Sequence, residues 1–158
     1  MVTFLSAITM GIMAALAVFS SFYLALPTWV LFIAWTSYYL FESNIKSSVV
    51  VFIQQILGIF IAILIQYGGT ALSEPLGFPI VVFLVMSMVF YISKLKYLNN
   101  IPAYFLGMIV WFGSQTQPNV NTILLLSVTL ALGFLFAMLN VMISQDIQEN
   151  LQNKKEIS

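Results

Sequence analysis

Few residues of this chain could do chemistry inside an apolar stretch. Among them are Thr36, Ser37, Gln54, Gln55, Ser127, Thr129 and Asn140, all uncharged. A glutamine carries both donors and an acceptor. Gln54 and Gln55, with the hydroxyls of Thr36 and Thr129, could replace the hydration of a small neutral amide. The same side chains also suit interhelical hydrogen bonds, or bonds back to their own helix carbonyls. Two aromatic residues, Phe32 and Phe105, occupy matching places in two short apolar pieces. Facing rings there could form a dry constriction, a known selectivity device.

What is missing narrows the chemistry further. The sequence has no Cys, His or Arg, and its acids are Glu42, Glu74, Asp146, Glu149 and Glu156. All five acids lie outside the apolar segments or at their ends. Thiol chemistry, histidine base catalysis and the usual metal ligands are therefore absent. No carboxylate pair sits where it could share a proton. With no phosphate-binding loop and no basic patch, neither an enzyme, a cofactor, a metal centre nor a nucleic-acid partner is expected.

The elements that must position these residues follow from composition. Of 158 residues, 61% are hydrophobic and only 6% charged, with zero net charge. Soluble domains carry about 25% charged residues, and disordered chains need low hydrophobicity. An all-α integral membrane protein in a lipid bilayer is the remaining class. A crossing helix needs about 20 apolar residues. Four segments are expected to meet this: Thr3–Ala25, Ser47–Tyr67, Phe78–Ile92 (extendable to Leu95) and Asn121–Ile143. Two shorter pieces, Leu26–Phe41 and Ile101–Gly113, carry Pro27 and Pro102 near their starts. Proline is tolerated there, because its missing N–H would lack a helical partner anyway.

The lysines choose between crossing and re-entrant short pieces. With six crossings and a cytoplasmic N-terminus, Lys46, Lys94, Lys96, Lys154 and Lys155 all fall inside, as the positive-inside rule asks. Re-entrant pieces leave only three lysines inside. The expected topology is multi-pass with both termini cytoplasmic. Met1–Val2–Thr3 lacks a basic residue, so the first segment reads as a retained span rather than a cleaved signal. One transmembrane domain, 1–143, precedes a polar cytoplasmic tail, 144–158, expected to fray after a further turn or two.

A weak internal repeat divides that domain. Phe32–Ile33–Ala34 and Tyr38–Tyr39 match Phe105–Leu106–Gly107 and Trp111–Phe112 at an offset of 73. Gly58–Ile59–Phe60–Ile61–Ala62 matches Gly133–Phe134–Leu135–Phe136–Ala137 at an offset of 75. The halves, about 1–70 and 77–143, each read as long, short, long. Three crossings per half make the second half inverted, an arrangement that recurs in transport proteins. Small residues four apart permit close helix approach. Gly58 with Ala62, Gly133 with Ala137, and Gly11 with Ala15 are the expected packing faces, along with Gly107 in the second short helix.

The stretches LPTW-x-x-FIAWTSYYLF (26–41), IQYGGTALSEPLG (65–77), IPAYFLGMIVWFGSQ (101–115) and LALGFLFAML (130–139) resemble the YcdZ-like family of uncharacterised bacterial inner-membrane proteins. The resemblance covers about Met10 to Ile143. It implies a small multi-span protein of the bacterial plasma (inner) membrane and carries no settled activity. Family members have more Gly, Ala and Cys in the short helices, whereas Trp35, Met108 and Ile109 are bulky.

Without an intramembrane carboxylate or base, a coupled pump is disfavoured. The expected function is a passive channel or facilitator for a small neutral solute, with a urea-like amide as the specific expectation. A small-anion channel of the formate or nitrite type, using Lys46 or a helix N-terminus, is one alternative. A non-transporting membrane scaffold subunit is the other. A bundle this small encloses little interior, so a homo-oligomer, a trimer or other small ring, is expected.

Overall fold

Apolar residues dominate every segment between the breakers, and in lipid a lone segment satisfies its backbone only as a helix. The computed structural model describes residues 2–41, 44–72 and 75–156, with side chains from Thr3 to Leu151. Among the described residues there are six helices and no strand. They are α1 (Val2–Tyr23), α2 (Thr28–Leu40), α3 (Ile45–Ala71), α4 (Gly77–Ile92), α5 (Ile101–Ser114) and α6 (Val120–Glu156). Glu42 and Glu74 lie outside the described residues.

Local chemistry sets the boundaries. Ala25 takes the left-handed conformation, φ 52°. Leu26 N–H then reaches the Ser21 carbonyl at 2.8 Å, and Ala25 N–H the Phe22 carbonyl at 3.2 Å. This is a Schellman stop with alanine at the usual glycine position, and Pro27 follows it. Asn44 caps α3 by accepting the Ser47 N–H at 2.8 Å. Gln115, φ 50°, closes α5 in the same left-handed way as Ala25.

Among the described residues three helices, not four, are long enough to cross a membrane by length and composition: α1, α3 and α6. The expected fourth, in α4, stops at Ile92 after 16 residues, about 24 Å at 1.5 Å per residue. It does not extend to Leu95, because the chain tightens into successive i to i+3 bonds. Lys94 N–H bonds to Tyr91, and Leu95 N–H to Ile92. Tyr97 then turns left-handed at φ 72°. The second half therefore reads short, short, long. The tail also departs from expectation. Rather than fraying, α6 continues helically to Glu156. Its Gln, Glu, Leu and Lys residues are good helix formers, and no Gly or Pro interrupts them.

The chain forms two compact units, one of Met1–Ser48 with Val128–Ser158 and one of Val49–Ser127. In the first, α1 packs on α2. Its face carries Met13, Ala17 and Ser21, and Ser21 shares a 2.7 Å hydrogen bond with Thr28. The α6 residues from Val128 onward pack against α2 through Gly133. In the second unit α3 packs against α5 through Gly58 and Gly107, and against α4 through Gly68 and Gly69.

Candidate functional site

The polar residues singled out in the sequence resolve into two helix seams, each within one unit. In the second unit, α3 and α5 run in the same direction. Gln54 donates its amide N–H to the Tyr97 carbonyl at 2.7 Å. One turn on, a Cβ at Gly58 would fall on the Tyr104 carbonyl oxygen and 3.0 Å from the Gly107 Cα. A Cβ at Gly107 would fall on the Gln55 carbonyl. Further along, Trp111 Nε1–H donates to Gln66 Oε1 at 2.7 Å. Polar bonds thus bracket a backbone-to-backbone contact that only glycine permits. The loop before α5 is pinned from both sides, since Tyr104 Oη–H also donates to the Leu98 carbonyl at 3.1 Å.

The first unit holds a seam of the same construction. A Cβ at Gly133 on α6 would fall on the Leu31 carbonyl of α2 and 2.7 Å from the Ala34 Cβ. Two turns on, Asn140 donates its amide N–H to Tyr39 Oη at 2.6 Å. These two helices also run in the same direction. The seams use corresponding residues: Leu31 and Ala34 shifted by 73 are Tyr104 and Gly107, and Gly58 shifted by 75 is Gly133. The hydrogen bonds correspond to within one position on each helix, Tyr39 with Trp111 and Asn140 with Gln66.

Not all the residues expected along a solute path come together. Gln54, Gln55 and Thr129 are wholly buried. Gln54 and Gln55 lie on the α3·α5 seam, whereas Phe105 leaves that seam for another face of α5. There it is 46% exposed and lines an apolar groove with α4. Phe32, its repeat mate, is 42% exposed on α2, and Thr36 is exposed beside it. Of the small residues, Gly58, Ala62, Gly107, Gly133 and Ala137 are buried. Gly11 and Ala15 are exposed, and a Cβ at Gly11 meets nothing within 4 Å. Among the described residues no cluster of potential metal ligands occurs.

Sequence reasoning missed Gln66 and its partnership with Trp111, which is 1% exposed and bonded to it. The available signal was an amide near the end of one apolar run and a Trp near the end of another. A double-mutant cycle of Trp111→Phe and Gln66→Leu is expected to give a coupling of about 0.6 kcal/mol, and no more than about 1.7 kcal/mol, as for hydrogen bonds between membrane helices. Reversible unfolding in mixed micelles measures it, and additive effects of the two changes would contradict the bond.

The fold so defined is an all-helical protein whose long helices have membrane-span character. Residues 7–145 match the family described as a protein of unknown function (DUF1097), and the chain belongs to that family. No curated protein and no solved structure matches it.

Proposed function

We propose that this chain, as a YcdZ-like member of its family, is a six-span protein of the bacterial inner membrane. It is built of two inverted three-helix repeats and lets a small uncharged solute cross passively. The observation that carries the reading is the paired seam. Gly58 against Tyr104 and Gly107, and Gly133 against Leu31 and Ala34, are one contact made twice by residues that correspond through the repeat. The same-direction run of α3 with α5, and of α2 with α6, is what six crossings require. Helices α2 and α5, the middle helices of the two halves, are short for a bilayer core of about 30 Å. Short or interrupted helices in corresponding places of two halves are a mark of transport folds. The described lysines Lys46, Lys94 and Lys96 are all exposed. In this reading all three lie on the cytoplasmic side, as do both termini.

Gln54 and Gln55 lie on a seam, and Phe105, with its ring on an open face of α5, is the residue chosen to test the path. The test is solute flux in proteoliposomes with urea, glycerol and formate, beside empty vesicles. Urea is expected to equilibrate several-fold faster with protein present, and Phe105→Trp is expected to abolish the gain. A formate gain alone would transfer the reading to an anion channel.

The complete burial of Gln54, Gln55 and Thr129 favours a second reading, a non-transporting scaffold. Equal rates with and without protein for all three solutes would select it. In either reading the open α1 face at Gly11 and Ala15 is available for assembly into a trimer or other small ring.

A further inference from the structure

The described charge of the second unit is gathered in one turn. Among its described residues there is no Asp or Glu, and its two lysines, Lys94 and Lys96, stand two residues apart between α4 and α5. Both are exposed. Each ammonium rests on a ring rather than a carboxylate. Lys94 Nζ lies 4.4 Å from the ring centroid of Phe90, one turn back on α4, and Lys96 Nζ lies 5.3 Å from that of Tyr97. A ring face attracts a cation from one side only. An ammonium has three N–H donors and no acceptor, so the ring leaves donors for an anion.

The turn that carries the lysines is held in place. Lys94 N–H bonds to the Tyr91 carbonyl at 3.1 Å, Leu95 N–H to that of Ile92 at 3.0 Å, and Leu98 N–H to that of Leu95 at 3.1 Å. Ser93 Oγ–H donates to the Phe90 carbonyl at 2.8 Å. The wholly buried Gln54 on α3 fixes the Tyr97 carbonyl, and Tyr104 on α5 fixes that of Leu98. An anion meeting the two lysines finds the backbone already ordered, which lowers the entropic cost of binding.

The surroundings narrow the anion. Tyr91, Leu95 and Tyr97 are 74%, 57% and 63% exposed. A soluble anion would leave these large side chains in water. Aromatic residues beside lysines at the end of an apolar helix suit the boundary between hydrocarbon and headgroups. A phospholipid there offers its phosphate to the lysines and its ester and acyl region to the side chains around them. A zwitterionic headgroup brings its own ammonium, which opposes the lysines, whereas a headgroup of net negative charge does not. Each lysine near a membrane surface favours anionic lipid by about five-fold.

We propose that the turn at Lys94 and Lys96 binds the headgroup of an anionic phospholipid in preference to a zwitterionic one, with Phe90 and Tyr97 steadying the two ammoniums. The proposal rests on the membrane placement of α4 and α5 and not on any flux.

Photocrosslinking tests it. The full chain is reconstituted in vesicles with equal amounts of dioleoylphosphatidylglycerol and dioleoylphosphatidylcholine. A diazirine is carried near the headgroup of one lipid or, in a parallel sample, of the other, and adducts are mapped by peptide mass spectrometry. At residues 91–100, adducts of the anionic lipid are expected to exceed those of the zwitterionic lipid by about five-fold or more. At the reference turn, 115–119, which has no charged residue, the two lipids are expected to label equally. Lys94→Gln with Lys96→Gln is expected to bring 91–100 to the reference ratio, and Lys94→Arg with Lys96→Arg to keep the preference. Lys154→Gln with Lys155→Gln removes the same charge elsewhere and is expected to leave the preference intact. Equal labelling by the two lipids at 91–100 in the parent chain would overturn the proposal. So would a preference that survives the glutamine pair at 94 and 96, or one that falls as far with the pair at 154 and 155. Adducts from neither lipid at 91–100 would overturn the membrane placement as well, whereas loss of the preference alone leaves that placement and the flux reading standing.

Discussion

Gly107→Val and Gly58→Val each break the α3·α5 seam, while Gly11→Val leaves stability within about 0.5 kcal/mol of the parent, as at an ordinary surface site. The contrast follows from what a new side chain meets. At Gly107 the added Cβ coincides with the Gln55 carbonyl, and at Gly58 with the Tyr104 carbonyl. A flexible side chain could swing away, but helix backbone cannot move without parting the two helices. Parting them also strains the bonds from Gln54 to Tyr97 and from Trp111 to Gln66. Overpacking against side chains typically costs about 1–3 kcal/mol. Against backbone on both helices the expected loss is about 3 kcal/mol or more. Gly133→Val is expected to match it, because its Cβ meets the Leu31 carbonyl. Unfolding by denaturing detergent, followed by circular dichroism, ranks the four variants. A Gly107→Val protein as stable as the Gly11→Val one would refute the close backbone approach.

Under the proposed six crossings, single cysteines at position 96 and at position 117 are expected to react from opposite sides of the membrane. The chain contains no cysteine of its own, so each introduced thiol reports alone. Lys96 and Gln117 are exposed and flank α5. If α5 crosses, a membrane-impermeant maleimide added outside sealed inside-out vesicles labels Lys96→Cys and spares Gln117→Cys, and right-side-out vesicles reverse the result. Lys46→Cys is expected to follow Lys96→Cys, since two crossings separate them. The expected difference is close to all or none, because an impermeant reagent reaches one face only. If α5 dips in and returns, both cysteines flanking it label from the same side. That outcome would remove the six crossings and, with them, the inverted halves.

Composition alone determined that this protein is helical and membrane-like. Sixty-one per cent hydrophobic residues with 6% charged ones leave no soluble surface to build. Apolar run length located all six helices, and proline and polar breaks placed most starts within a few residues. The ends were harder to read. The stop at Ile92 depends on a tightened turn and a left-handed Tyr97, which an aromatic residue does not announce. The run of α6 to Glu156 depends on the helix propensity of polar residues that hydropathy reads as tail.

Partners were decided by tertiary structure. The glycines were visible as small residues four apart from alanines, but Gly11 with Ala15 has the same spacing as Gly58 with Ala62. Only packing separates them, since one helix face meets a neighbour's backbone and the other meets nothing. Gln54 could serve a solute or another helix by its chemistry, and only the fold shows its amide N–H on the Tyr97 carbonyl, 43 residues away. An amide in an apolar run signals that a partner is needed. Whether that partner is a solute or the protein's own backbone depends on which loop folds over it, and residue spacing along one helix carries no information about that loop.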